Sequence, residues 1–221
     1  MKQNKVTKVK SLVETKFLSL YEAEYENKVG NIRTWTIASR KNNETIQKQF
    51  FENKEDTADG AIIAAYHKDE NKIVIIRQFR IPLNDYVYEL PAGLIDPGED
   101  SISTIKRELM EETGLRLVEV INNKSLDKVY VSAGMTDESL AMVYCTCEGE
   151  ISDEHLEDDE CIEALLISQD EAKELIQSKE KFDIKCFLLL QSFALLGKKY
   201  FNNKKLVYTK KCRPVFHYKF L

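Results

Sequence analysis

The segment Gly93–Leu115 reads GLIDPGEDSISTIKRELMEETGL, a turn-rich opening followed by helical periodicity from Ser101 to Thr113. Advancing about 100° per residue puts Glu108, Glu111 and Glu112 on one face, in the i, i+3, i+4 pattern. Ile102, Ile105 and Leu109 fall on a neighbouring face, turned by roughly 100°. Such a helix locks its apolar face onto a sheet and holds the carboxylates at the margin. Ser101 is the expected N-cap, with Thr104 where a capping box has its acid, so the box is incomplete. Gly114 is the expected stop. Three like charges this close repel by roughly a few tenths of a kcal/mol per exposed pair. An all-oxygen set offsets that repulsion by holding a hard cation, Mg²⁺ or Mn²⁺, rather than zinc. Arg107 is placed to orient one carboxylate through a bidentate pair. An E-x-x-E-E pattern alone is equally a solvated acidic helix, so the rest of the string has to decide.

The flanking text sets the fold class. Residues 11–40 are β-rich: Lys16–Tyr21 and Asn31–Ile37 read as strands about a Val29-Gly30-Asn31 turn. A hairpin of that size buries little alone and is expected to pack on something else, a second subunit included. Residues 41–57 are polar and read as a connector. Gly60–His67, Lys72–Gln78 and residues 85–90 read as strands, as do 117–122, 128–132, 139–147 and 164–167. Residues 169–178 and 184–196 read as helices. Strands followed by helices, with few βαβ units, predict α+β.

Composition narrows the function class. The chain has 221 residues and a formal net charge of −5, with 43% hydrophobic residues, which is globular. Net acidity argues against a nucleic-acid binder that works by bulk positive charge. It leaves room for a phosphorylated small molecule, since one pocket can gather arginines. The apolar window Phe187–Leu196 is too short to span a bilayer and is broken by Gln191 and Ser192. The five cysteines (Cys145, Cys147, Cys161, Cys186, Cys212) lack metal-like pairing. An odd count without a signal sequence predicts reduced thiols in a cytoplasmic protein, with Cys145 and Cys147 as small core residues of one strand face. His67, His155 and His217 have no sequence partners that suggest catalysis. From Ile184 onward the chain has no acid and nine bases, a solvated basic end or an anionic contact.

The complete string matches G-x5-E-x7-R-E-U-x-E-E-x-G-U, with U aliphatic, at Gly93, Glu99, Arg107, Glu108, Leu109, Glu111, Glu112, Gly114 and Leu115. It resembles the Nudix box, and agreement at nine positions is far beyond chance. Upstream, Arg33-Thr34-Trp35, Arg40, Thr57–Gly60, Arg77–Arg80 and Tyr88–Asp96 resemble the dimeric ADP-ribose/ADP-sugar pyrophosphatases of that superfamily, over most of the chain from about Phe17 to Leu196. The resemblance implies an α/β/α sandwich with a mixed sheet plus a small N-terminal β-domain that dimerises and helps build the partner's site. It implies a dimerising arm at 1–56, a catalytic domain at 57–200 and a basic tail at 201–221.

The resemblance also implies roles. Trp35 matches an adenine-stacking aromatic, and Phe17 a second one supplied by the other subunit. Arg40 and Arg80 match substrate-contacting arginines, and Asp59 an acid near the base. Ala92 matches a residue whose carbonyl binds metal, with Glu108, Glu111 and Glu112 as metal carboxylates. Glu160 and Asp158, in the acidic run before Ile162, match the loop supplying the catalytic base, and Glu111 joins them as a catalytic candidate. Glu99 and Arg107 shape the loop and helix. Val131 and Ala133 stand where prolines are common in that family. The implied reaction is Mg²⁺- or Mn²⁺-dependent hydrolysis of ADP-ribose or a related ADP-sugar to AMP and sugar phosphate by a homodimer, with no nucleic-acid or membrane partner. UDP-sugar, GDP-mannose or a dinucleotide are alternative substrates, and a non-catalytic ADP-ribose sensor is the alternative of another class.

Overall fold

The computed structural model describes residues 3–52, 57–157 and 160–202. It holds two sheets. The first is antiparallel and ordered β1-β2-β3, with β1 at Lys5–Glu14, β2 at Ser19–Glu26 and β3 at Ile32–Ser39. β2 and β3 are the expected hairpin, and the chain turns between them with Gly30 at φ +88°. β1 extends that hairpin and starts ahead of the β-rich stretch 11–40.

The polar stretch after β3 is not a bare connector. It contains α1, Asn43–Phe51, capped by the Asn42 side chain, which accepts from the Thr45 N–H at 2.9 Å. Ile46 and Phe50, one turn apart, pack with Val9, Tyr21, Ala23 and Ile37. The small sheet therefore gains its cover from its own chain. Three apolar positions in nine residues, two of them adjacent at the end, were too weak a pattern to announce that helix.

The second sheet comprises β4 Gly60–His67, β5 Lys72–Arg80, β6 Asp85–Glu89, β7 Ala92–Leu94, β8 Arg116–Val120, β9 Leu126–Tyr130, β10 Ser139–Glu148 and β11 Ile162–Ile167. Its order is β11-β5-β4-β10-β8, with β6 on β5, β7 on β4 and β9 on β10. β10 runs parallel to β4 and the other pairs are antiparallel, so the sheet is mixed. β4 is buried along its whole length, as a central strand covered on both faces must be.

Its alternation defines two cores. Ala61, Ile63 and Ala65 meet Ile105 and Leu109 of α2, Ser101–Thr113. Ile62, Ala64 and Tyr66 meet Leu189, Leu190 and Phe193 of α4, Ile184–Leu196. A short α3, Gln169–Leu175, lies beside α4. This is the expected sandwich. No described helix is long and apolar enough to cross a membrane.

Two details of α2 differ from the sequence reading. The N-cap is Asp100, not Ser101. Its carboxylate accepts the Ser103 N–H at 2.8 Å, and Ser103 Oγ accepts the Asp100 N–H at 3.0 Å, so the capping box is complete one residue earlier. Ile102 is 41% exposed, while Ile105 and Leu109 are fully buried. The first turn is held by polar bonds instead: Thr104 Oγ1 donates to Glu99 Oε2 at 3.0 Å and to the Asp100 carbonyl at 2.9 Å.

Candidate active site

β7 and α2 bring the two ends of the box together. Gly93 lies directly beneath Glu108: a Cβ there would fall 1.7 Å from Glu108 Oε1. A side chain at Gly93 would push the Glu108 carboxylate out of this position. Gly114 ends α2 at φ +72°, and a Cβ there would fall 2.7 Å from the Ser152 nitrogen, so the loop after β10 crowds the helix end.

Arg107 ties this unit together. Its Nε and Nη2 grip Glu99 at 3.1 and 3.0 Å, and its Nη1 donates to Glu108 Oε1 at 2.7 Å and Glu111 Oε2 at 2.9 Å. Nη2 also reaches the Leu94 carbonyl at 3.3 Å. The bidentate partner is thus Glu99, in the loop, while two helix carboxylates share the remaining nitrogen. The guanidinium holds the Glu99 carboxyl down at about 2. Its own pKa rises, chiefly through Glu99.

Glu112 is 4% exposed and accepts the Ala92 N–H at 3.1 Å. Burial first, and the charge of Glu108 second, push its pKa well above the usual carboxylate range; Glu160 adds to the rise. Glu108 is raised mainly by burial, against the pull of Arg107, and also feels Glu111 and Glu160. The structure therefore gathers Glu108, Glu111, Glu112 and Glu160 into one negative region. Among the described residues, no three His, Cys, Asp or Glu side chains stand preassembled as a metal-binding group. The donors are nevertheless of one kind, carboxylate oxygens, partly buried and short of positive charge, and that chemistry suits a hard divalent ion.

Glu160 belongs to the loop between β10 and β11 and accepts the Glu157 N–H at 3.2 Å. Asp158, the other base candidate, lies outside the described residues.

Arg40, Arg80, Ala92 and Gly93 line one cleft of about 460 Å³ with Glu89, Glu138, Asp183 and Lys185. Each arginine rests on a carboxylate. Arg80 makes a bidentate pair with Glu89 at 2.6 and 2.9 Å, and Arg40 Nε pairs with Glu138 Oε1. Glu89 chiefly raises the Arg80 pKa, and burial opposes it. Sequence reasoning assigned no role to Glu89, Glu138, Asp183 or Lys185. The signal available was charge balance, since two arginines in one pocket need counter-ions.

Three other candidates lie outside this cleft. Asp59 accepts the Ser139 N–H at 2.9 Å and pairs with Lys41 at 3.3 Å, so both of its oxygens are engaged. Trp35 is 54% exposed over a separate depression with Ile37, Phe50, Tyr130 and Met135, and its indole N–H donates to the Gly134 carbonyl at 3.2 Å. Phe17, between β1 and β2, is 63% exposed.

Cys145 and Cys147 are buried free thiols whose pKa values burial raises, that of Cys147 to about 12. They are core residues. His67 is buried against the Gly149 carbonyl at 2.9 Å, a structural contact.

The family model described as "NUDIX domain" matches residues 56–188. An "ADP-ribose pyrophosphatase" of Bacillus subtilis is 34% identical over 141 residues, 62% of this chain and 72% of the relative. A "GDP-mannose pyrophosphatase" of Enterobacter sp. is 30% identical over 168 residues, 72% of this chain and 84% of the relative. Among solved structures, an "ADP compounds hydrolase" superposes with a TM-score of 0.64 at 15% identity, over 89% of this chain and 97% of that one. At that identity the likeness concerns the fold alone.

Proposed function

The chain belongs to the NUDIX family of hydrolases, and on that premise we propose that it hydrolyses the diphosphate of ADP-ribose or a related ADP-sugar, giving AMP and a sugar phosphate. One observation carries the reading. Arg40 and Arg80 share a cleft with Ala92 and Gly93, and Glu112 and Glu108 of the box helix bear directly on those two residues. Two guanidiniums for a diphosphate thus stand next to a carboxylate cluster for a cation.

In this reading Arg40 and Arg80, held in place by Glu138 and Glu89, grip the diphosphate with their remaining guanidinium N–H groups. Glu108, Glu111, Glu112 and the Ala92 carbonyl hold Mg²⁺ or Mn²⁺. Once bound, that ion supplies Lewis acidity for the attacking water and charge neutralisation for the leaving phosphate. Glu160, or Asp158 beside it, accepts the proton of the water that attacks one phosphorus, and the bridging oxygen leaves with the other phosphate. A base on a loop completes the site as the loop closes on substrate.

Residues 1–56 serve as a dimerising arm, 57–200 as the catalytic unit and 201–221 as a basic tail. The exposure of Phe17 and Trp35, outside their own chain's cleft, supports a homodimer in which each protomer lends aromatic rings to its partner's site. Rings of that size suit a purine.

The GDP-mannose relative supports a second substrate reading. Product identification with ADP-ribose, GDP-mannose and a UDP-sugar in Mg²⁺ decides between them. AMP plus ribose 5-phosphate is expected. Preferential release of GMP or UMP moves the substrate, and tight ADP-ribose binding without turnover makes the chain a sensor.

A further inference from the structure

β3 and the loop 133–139 come from different halves of the fold yet run side by side. The Ala38 N–H donates to the Met135 carbonyl at 3.0 Å, Ala38 bridges Thr136 in parallel, and the Trp35 indole reaches Gly134. At the far end of this seam, Arg40 pairs with Glu138. The next residue, Lys41, places its Nζ 3.0 Å from Asp137 Oδ2 and 3.3 Å from Asp59 Oδ1. These three side chains are only 10%, 12% and 11% exposed.

The backbone around Lys41 is tied as firmly. Its carbonyl accepts the Tyr21 hydroxyl at 2.9 Å, and its N–H donates to Ser39 Oγ at 3.1 Å. Asp59 and Ser139 exchange bonds, N–H to carbonyl at 2.8 Å and N–H to carboxylate at 2.9 Å. One ammonium thus joins the first sheet, the start of β4 and the loop before β10. Lys41 does not line the cleft, so whatever it contributes passes through its neighbours. Without it, two nearly buried carboxylates would face each other uncompensated. Asp137 would move away, and Glu138, bonded to it in the chain, would carry the anchor of Arg40 with it.

We propose that Lys41 is a positioning residue that clamps loop 133–139 onto β3 and so fixes both Arg40 in the cleft and Trp35 on Gly134. What those two residues then hold rests on the reading above. The clamp itself does not.

Trp35 is the chain's one tryptophan, so its emission reports the seam without any substrate. The test compares Lys41→Met and Lys41→Arg with the parent protein, in emission and in steady-state kinetics. Lys41→Met is expected to shift the Trp35 emission and raise KM roughly ten- to a hundredfold with kcat nearly unchanged. Lys41→Arg, which keeps the cation, is expected to restore both. Should Lys41→Met fail to fold, combining it with Asp137→Asn removes the repulsion and is expected to restore a folded chain, and a double variant that also fails to fold overturns the proposal. Unchanged emission in a folded methionine variant overturns the proposal, as does a fall in kcat with KM unmoved. If emission shifts as expected but the parent protein hydrolyses no nucleotide sugar, the clamp stands and the functional reading falls.

Discussion

Glu112 and Glu99 show how position alters the same side chain. Glu112 is buried and acquires one backbone donor, so its charge is costly until a cation arrives. Glu112→Gln keeps the shape and an oxygen for the Ala92 N–H. It is expected to lower kcat on the order of a hundredfold or more without lowering Tm. Near-normal turnover would remove Glu112 from the cation site. Glu99 is the opposite case. Its folded pKa is about 2, against an ordinary 4.5, because Arg107 grips its ionised form. The unfolded chain therefore binds more protons between those two values, and stability there rises with pH. Glu99→Gln is expected to lower Tm fully above pH 4.5, and the gap from the parent protein should close as pH falls toward 2. A gap independent of pH would mean that the carboxylate charge contributes nothing.

At the level of elements, α2 does two jobs with two faces. Ile105 and Leu109 anchor it on β4, and the carboxylate side faces β7 and the loop of Glu160. Its start is fixed by Asp100 and Ser103, which satisfy donors the first turn leaves open. Asp100→Ala should cost about 0.5–2 kcal/mol in denaturant unfolding, while Ser101→Ala should cost little. An equal loss at Ser101 would return the cap to the residue the sequence favoured. That misplacement is instructive. Asp100-x-x-Ser103 and Ser101-x-x-Thr104 have the same spacing, and only the extended backbone at Asp100 selects between them. α1 was missed for a different reason, because its Ile46 and Phe50 have a face to pack on only once β1 and β2 have paired.

On the scale of the whole molecule, two sheets meet along the seam between β3 and loop 133–139, and the cleft opens where that seam meets the end of β5 and β7. The proposed dimer adds a second seam. Sedimentation at micromolar concentration should give the mass of two chains, and Phe17→Ala should raise KM while leaving that mass unchanged. A monomeric parent protein would end the shared-site reading. The net charge of −5 says little about the substrate. The negative excess lies chiefly in the run 148–160, with eight acids and no Lys or Arg, while the three carboxylates of the box helix outnumber Lys106 and Arg107 by one; a bound cation would reverse the local field there.

Already legible in the amino-acid order were the box helix, its carboxylate face, its glycine stop and β4 as a strand. These follow from periodicity, capping chemistry and glycine conformation, which act over a few residues. What the scattered residues pair with came from the three-dimensional packing alone. Arg40 meets Glu138 across 98 positions, Lys41 reaches Asp59 and Asp137, and Asp59 turns away from the cleft to hold Ser139. Those pairings depend on strand order and register, set by how both cores close, and no local pattern encodes them.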